Sequence, residues 1–253
     1  MQTLADTDTP GVAGSSADIL QLRPWPGPFT TTGDIKIGPM SQRDRVRRGL
    51  NVVIALLSLL LAAPLMLVIA VAIKLSSPGP VLFKQTRVGL DRRSPLLESG
   101  NWRRQTDYGG RLFTLYKFRT MRHRPGDYHA VWARRDDPRV FRVGSVLRRF
   151  RLDELPQLFN VLLGDMNIVG PRPEQPEIFV DLREKIDQYP RRQRVLPGIT
   201  GLAQLNQHYD TCLEDVRRKT AYDLEYIRRA SALEDLRIML RTVPSVIWDK
   251  SGW

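Results

Sequence analysis

Two adjacent carboxylates, Asp153 and Glu154, stand among arginines in the stretch RRFRLDELPQLFNVLLGDMNIVGPRP, from Arg148 to Pro173. Carboxylate oxygens are hard ligands that suit magnesium, which keeps one or two of them and takes its other ligands from water and substrate phosphates. Arginine carries a planar fork that matches phosphate oxygens. Arg148 precedes the pair, and Arg172 follows it between Pro171 and Pro173. Flanking prolines preset the backbone at Arg172 and reduce the ordering cost of gripping an anion. The chemistry on offer is therefore a divalent cation held against a phosphorylated ligand. A plainer reading has equal standing: an amphipathic helix with both carboxylates in its first turn, where the macrodipole favours anions. Upstream, YKFRTM places Lys117 and Arg119 two residues apart, on one face if the segment is extended. They read either as phosphate or nucleotide contacts or as the solvated side of a strand.

The chain has 253 residues and a formal net charge of +12, which favours anionic partners: nucleic acid, anionic lipid or phosphorylated substrates. Cys212 is its one cysteine, so no intrachain disulfide and no cysteine-based zinc cage can form. The histidines His123, His129 and His208 are scattered.

The elements that must position these residues can be read in order. Residues 1–42 are rich in Thr, Ser, Gly, Pro and Asp and read as a disordered tail without the basic start and apolar core of a signal peptide. SQRDRVRRGL then introduces Arg43, Arg45, Arg47 and Arg48 before an uncharged apolar run from Leu50 to Ile73. At 1.5 Å per residue, a run of about 24 residues is long enough to cross a hydrocarbon layer. The arginine flank favours a cytoplasmic N-terminal side. Pro64, in the middle, removes one helical hydrogen bond and predicts a kink. A kinked span and a re-entrant helix both fit residues 43–75, and the basic residues on either side lean toward re-entry.

SSPGP marks a turn, and the segments around VLFKQTRVG and RLFTLYKFRTM read as paired short strands joined through a polar insertion from Leu90 to Gly110. The apolar rhythm of Leu155, Leu158, Phe159 and Leu162 predicts a helix from Asp153 with those side chains in the core, ended by Gly164. Further helices are expected over Gln175 to Tyr189, Glu214 to Arg229 and Leu233 to Ile247, with a loop or short strand pair in VLPGITGLAQLN. Each later amphipathic helix could lie in a membrane interface or pack on the core.

The succession of an apolar run with a central proline, SPGPVLFKQTRVG, YKFRTM, LDELPQLFNVLLGDMNIVGPRP and PGITGLAQ resembles the bacterial sugar transferases, the monotopic polyprenyl-phosphate phosphoglycosyl transferases. The resemblance covers about Arg45 to Val246. It implies transfer of a sugar 1-phosphate from a UDP-sugar to undecaprenyl phosphate with release of UMP, as an early membrane step of exopolysaccharide, capsule, O-antigen or glycan biosynthesis. Asp153 would be the nucleophile, forming a phosphosugar ester, and Glu154 its partner in holding Mg2+. Lys117, Arg119, Arg148 and Arg172 would bind substrate phosphate. The implied fold is α+β and mainly helical: an N-terminal re-entrant membrane helix, a small β-hairpin and interfacial amphipathic helices around a cytoplasmic catalytic core over 76–253. The implied place is the inner leaflet of the bacterial inner membrane, with room for a homodimer. The family breaks its membrane helix at a Ser-Pro pair, where this chain has Ala63-Pro64. Near Gln207-His208 it also departs from a Gly-Arg pair found in many members, which bears on the sugar.

Charge alone would also fit a membrane-anchored nucleic-acid-binding protein. No helix-turn-helix, zinc spacing or aromatic-basic RNA motif accompanies it, and that reading leaves Asp153 and Glu154 unexplained; no nucleic-acid partner is expected. A non-catalytic scaffold of the same fold would not need Asp153, Glu154 and Arg172 intact.

Overall fold

The computed structural model describes residues 42–91, 108–122, 137–207 and 212–248. Residues 1–41 of the expected tail, most of the polar insertion, and His123, His129 and His208 lie outside the described residues.

The chain begins with one long helix, α1 (Gln42–Ser76). It runs 35 residues with Pro64 inside it. Proline removes a single N–H, and the hydrogen bonds of the turns on either side carry the helix through. One face of α1 is buried by Arg47, Asn51, Ala55, Leu59, Ile69 and Ile73, while Leu57, Leu60, Leu61, Leu67 and Val68 lie exposed. The sequence reading treats the arginines as a charged flank to the apolar run. The structure corrects this for two of them. Arg47 donates from Nε to Asp235 Oδ2 at 2.7 Å and from Nη2 to the Tyr226 hydroxyl at 2.7 Å. Arg48 donates to the carbonyls of Val161 and Met166 and to Asn167 Oδ1. Asn51 accepts the Ile168 N–H at 2.7 Å. The start of the helix is thus keyed into the rest of the protein by polar contacts, and its later turns by apolar ones.

After the Ser77–Gly79 turn, β1 (Leu82–Val88) pairs antiparallel with β2 (Leu112–Phe118), Leu82 opposite Phe118 and Val88 opposite Leu112, as the hairpin reading expects. Helix α2 (Arg142–Arg149) leads through a 3₁₀ turn (Leu152–Glu154) into α3 (Gln157–Leu163). A helix starting at Asp153 is therefore corrected. The carboxylates sit in a separate 3₁₀ turn, and Pro156 stands at the N-cap of α3, where its missing N–H costs nothing. Gly164 ends α3 in the left-handed conformation at φ 89°, as expected for a C-terminal glycine. Leu158 is buried, but Phe159 is 44% exposed, a second correction to the expected core.

Helix α4 (Pro176–Lys185) is shorter than the sequence reading, and Tyr189, the expected last residue, instead opens a 3₁₀ turn (Tyr189–Arg194). Strands β3 (Asn167–Val169) and β4 (Gly198–Thr200) pair in parallel, Asn167 opposite Gly198 and Val169 opposite Thr200. Their backbones approach so closely that a Cβ on Gly198 would collide with the Gly170 nitrogen. Helices α5 (Leu202–Asn206), α6 (Leu213–Arg229) and α7 (Ala232–Trp248) complete the fold.

Four apolar clusters hold these parts together. Ala55 and Leu59 of α1 pack with Phe113, Leu115, Leu158, Val161 and Met166. Further along, Ile69 and Ile73 pack with Phe118, Phe141 and Leu147. Val169, Leu202, Tyr226 and Ile238 centre a third, and Val88, Phe179, Leu182 and Tyr189 a fourth. On α7, Leu233, Leu236, Leu240 and Val243 are left exposed.

One side chain locks the hairpin onto α3. Asn160, fully buried, donates from Nδ2 to the Thr114 carbonyl at 2.7 Å and accepts the Tyr116 N–H at 3.1 Å. Asn160→Ala leaves both backbone groups unpaired, an expected loss of roughly 2–6 kcal/mol at about 1–3 per group. Thermal melting of the detergent-solubilised variant measures it; a melt indistinguishable from the parent refutes the lock.

Candidate active site

The site is built where the loop after α2 meets β2 and the segment after β3. Arg151 adopts a left-handed conformation at φ 52°, the one non-glycine residue with positive φ among those described. That reversal starts the 3₁₀ turn, in which the Glu154 N–H bonds to the Arg151 carbonyl at 3.1 Å. Asp153 and Glu154 are 9% and 7% exposed.

Glu154 is clamped from two sides. Lys117 Nζ, from β2, lies 3.0 Å from its Oε1, and Arg172 Nη2, from the segment after β3, lies 2.7 Å from the same oxygen. Burial alone would raise the Glu154 carboxyl, but Arg172 and Lys117 outweigh it and hold the group well below the usual carboxylate range. Burial lowers the Lys117 ammonium below its ordinary value, with Glu154 pulling the other way.

Asp153 differs from its neighbour. Its carboxylate accepts no hydrogen bond from any described residue. Burial pushes the group up to about 6, Lys117 opposes the rise, and the adjacent charge of Glu154 adds to it. Arg148 pulls the Asp153 carboxyl down through its charge, while its Nε donates to Thr120 Oγ1 at 2.9 Å.

The structure thus brings together Asp153, Glu154, Lys117 and Arg172, with Arg148 acting on Asp153 by charge. It places Arg119 elsewhere. That residue lies past the end of β2, 4% exposed, and donates to the Ser77 and Pro78 carbonyls and to Ser77 Oγ. Arg119 fastens the turn after α1 to the hairpin. Pro64 lies on the exposed side of α1.

Two arginines beside the site escape sequence reasoning. Arg87, in β1, donates to the Pro173 carbonyl at 3.1 Å and lies 3.7 Å from Glu174 Oε1; burial lowers its guanidinium to about 10, so it stays charged at neutral pH. Arg192 donates to the Arg172 carbonyl and pairs with Asp223. In sequence, each looks like a solvated charge in a basic stretch. The available signal for Arg87 was its place in a predicted strand, two residues before Gly89.

Magnesium fits this donor set. Asp153 offers a carboxylate with no hydrogen-bond partner among the described residues, and Glu154 commits Oε1 alone to its two cations. No group of three or more His, Cys, Asp or Glu able to hold a metal occurs among the described residues. Two carboxylates form an incomplete shell, which suits an ion that completes its coordination with water and substrate phosphate. The surplus of cations around Asp153 likewise suits a site completed by an anionic ligand.

The family model described as bacterial sugar transferase matches residues 42–249. The chain is 41% identical over 242 residues to the UDP-glucose:undecaprenyl-phosphate glucose-1-phosphate transferase of Caulobacter vibrioides, covering 95% of this chain and 80% of that protein. It is 38% identical over 229 residues to the UDP-N-acetylgalactosamine-undecaprenyl-phosphate N-acetylgalactosaminephosphotransferase of Aeromonas hydrophila, covering 86% of this chain and 50% of that protein. With the UDP-glucose:undecaprenyl-phosphate glucose-1-phosphate transferase of Escherichia coli the identity is 43% over 209 residues, 81% of this chain and 41% of that protein. The chain therefore spans half or less of the length of the latter two.

Proposed function

From the premise that this chain belongs to the bacterial sugar transferase family, we propose that it moves a sugar 1-phosphate from a UDP-sugar to undecaprenyl phosphate through a covalent intermediate on Asp153. The observation that carries the proposal is the contrast within the carboxylate pair. Glu154 is fixed and ionised between Lys117 and Arg172, whereas Asp153 beside it is buried and has no hydrogen bond to any described residue.

A carboxylate without hydrogen bonds keeps its lone pairs for attack. In the first half-reaction an Asp153 oxygen bonds to the phosphorus next to the sugar, the bond from that phosphorus to the bridging oxygen breaks, and UMP leaves with the electron pair. In the second, an oxygen of undecaprenyl phosphate bonds to the same phosphorus and the Asp153 carboxylate is released. Attack of one anion on another requires neutralising charge, and Arg172, Lys117 and Arg148 stand where it is needed. A magnesium ion held by Asp153 and Glu154 would add positive charge over the phosphates. Two half-reactions that share one enzyme form predict ping-pong kinetics.

The protein is membrane-anchored through α1, which is long and apolar enough to cross a bilayer. We read α1 as re-entrant, with both ends on the cytoplasmic face of the inner membrane. Both ends rest on the same body: Arg47 reaches Asp235 on α7, and Ile73 packs against Phe118, Phe141 and Leu147. The uncovered apolar row on α7 fits a helix lying in the interface. Cysteines introduced as Arg45→Cys and Lys84→Cys are expected to react with an impermeant reagent from the same side of inverted vesicles. Labelling from opposite sides refutes re-entry.

The reaction itself is tested by UMP release from a panel of UDP-sugars with detergent-solubilised protein, magnesium and undecaprenyl phosphate. Release with one donor, abolished by chelation and restored by magnesium, is the expected result. Absence of release with every donor from folded protein refutes the assignment, and release that survives chelation removes the metal from it.

A further inference from the structure

The segment that carries Arg172, Gly170-Pro171-Arg172-Pro173-Glu174, has two residues without a backbone N–H. It is held instead through its carbonyls, four in succession, by donors from β1, the Tyr189–Arg194 turn and β4. Pro171 accepts the Gly198 N–H at 2.9 Å, Arg172 accepts Arg192 Nη2 at 3.1 Å, Pro173 accepts Arg87 Nη1 at 3.1 Å, and Glu174 accepts the Val88 N–H at 2.9 Å. The donor aimed at Arg172 itself is a side chain. Arg192 is 2% exposed, its Nε lies 2.6 Å from Asp223 Oδ2 on α6, and its guanidinium lies over the Tyr189 ring at 4.8 Å. Asp223 is 1% exposed.

A buried ion pair of this kind adds little stability over a well-packed apolar pair, so its presence calls for another reason. The geometry supplies one. Asp223 and Tyr189 fix the plane of the Arg192 guanidinium, and its remaining edge sets the Arg172 backbone. Arg172 in turn projects to Glu154, 2.7 Å from its Oε1. The chain of contacts runs from α6 to the carboxylate pair in four residues: Asp223, Arg192, Arg172, Glu154.

We propose that Arg192, oriented by Asp223, is a positioning residue for the transfer reaction, acting on Glu154 and substrate phosphate through the backbone of Arg172. The proposal rests on the functional reading above. Lysine at position 192 can still pair with Asp223, but a single ammonium cannot also hold the Arg172 carbonyl in the same plane.

The test is a double-mutant cycle on UMP release with a companion exchange measurement. Arg192→Lys is expected to lower kcat/KM by about 10–100-fold, the scale of a misplacement near 1 Å. In the Arg172→Ala background the same change is expected to cost less than about threefold, because the residue it serves is gone. A general structural role would lower activity by the same factor in both backgrounds. Amide hydrogen exchange at Gly198 and Val88, whose N–H groups donate to the Pro171 and Glu174 carbonyls, is expected to quicken about tenfold or more in Arg192→Lys while α7 keeps its protection. If Arg192→Lys does not fold, Arg192→Gln with Asp223→Asn removes both buried charges together and carries the same expectations. Equal factors in the two backgrounds, or unchanged exchange at both Gly198 and Val88, overturn the proposal. If the unsubstituted chain releases no UMP from any donor, the functional reading fails, and the exchange result alone decides whether Arg192 holds the loop.

Discussion

The Asp153→Asn protein is expected to stay folded in detergent and to release UMP at least about 10⁴-fold more slowly than the parent, the scale seen when a covalent catalyst loses its nucleophile. The amide cannot form the phosphosugar ester, so burst release of UMP in the absence of acceptor should vanish as well. Folding is expected to survive because Asp153 contributes no hydrogen bond to any described residue. Its carboxyl is pushed up to about 6 by burial. A carboxyl whose folded value lies above its unfolded one destabilises the protein at any pH above the folded value, and this cost disappears as pH falls below the unfolded one. At pH 7 the ionised group therefore costs a few kcal/mol, counting about 1.4 per unit. In magnesium-free buffer the Asn variant should melt higher than the parent at pH 7, with the difference shrinking as pH falls from about 6 toward 4. A variant that keeps full activity would remove Asp153 from the mechanism. One that melts lower at pH 7 would show that the carboxylate has a structural partner.

The largest expected effect on stability belongs to Arg47→Ala. Asp235 is fully buried, and Arg47 lies 2.7 Å from it. The Tyr226 hydroxyl, also bonded to Arg47, is 2.7 Å from Asp235 Oδ1 and 3.0 Å from the Val169 carbonyl, only one of which can receive its proton. Removing the guanidinium leaves a buried carboxylate without its counter-charge, at an expected cost of about 3–5 kcal/mol. The pair Arg47→Met with Asp235→Leu removes both charges and should recover most of that loss, since Tyr226 can still donate to Val169. Chemical unfolding in detergent, followed by circular dichroism, measures both variants. A single variant within about 0.5 kcal/mol of the parent, the range of ordinary surface changes, would show that the network does not hold α1 to the domain.

The parts of this protein that were legible in the sequence are those with local signals. The hairpin announces itself by two apolar runs, the end of α3 by Gly164, and α6 and α7 by apolar spacing. Asp153, Glu154 and Arg172 stand out because carboxylates and proline-bracketed arginine have few other uses at such density. What was not legible depends on distant partners. The parallel pairing of β3 and β4 joins three-residue strands some thirty positions apart, too short to show alternation. Arg47, Arg48, Arg87 and Arg192 resemble solvated charges until their carbonyl and carboxylate partners come into view from other elements. Arg119 illustrates the converse. It shares a motif with Lys117 but serves the turn at Ser77 and Pro78.

Because α1 contributes Ala55, Leu59, Ile69 and Ile73 to two of the four apolar clusters, and Arg48 and Asn51 to the anchorage of β3, the polar domain has no complete interior without it. The leucines on its other face need a non-aqueous neighbour. One helix therefore serves two surroundings, and whatever covers its leucine face also bears on the packing of the domain that holds the carboxylate pair.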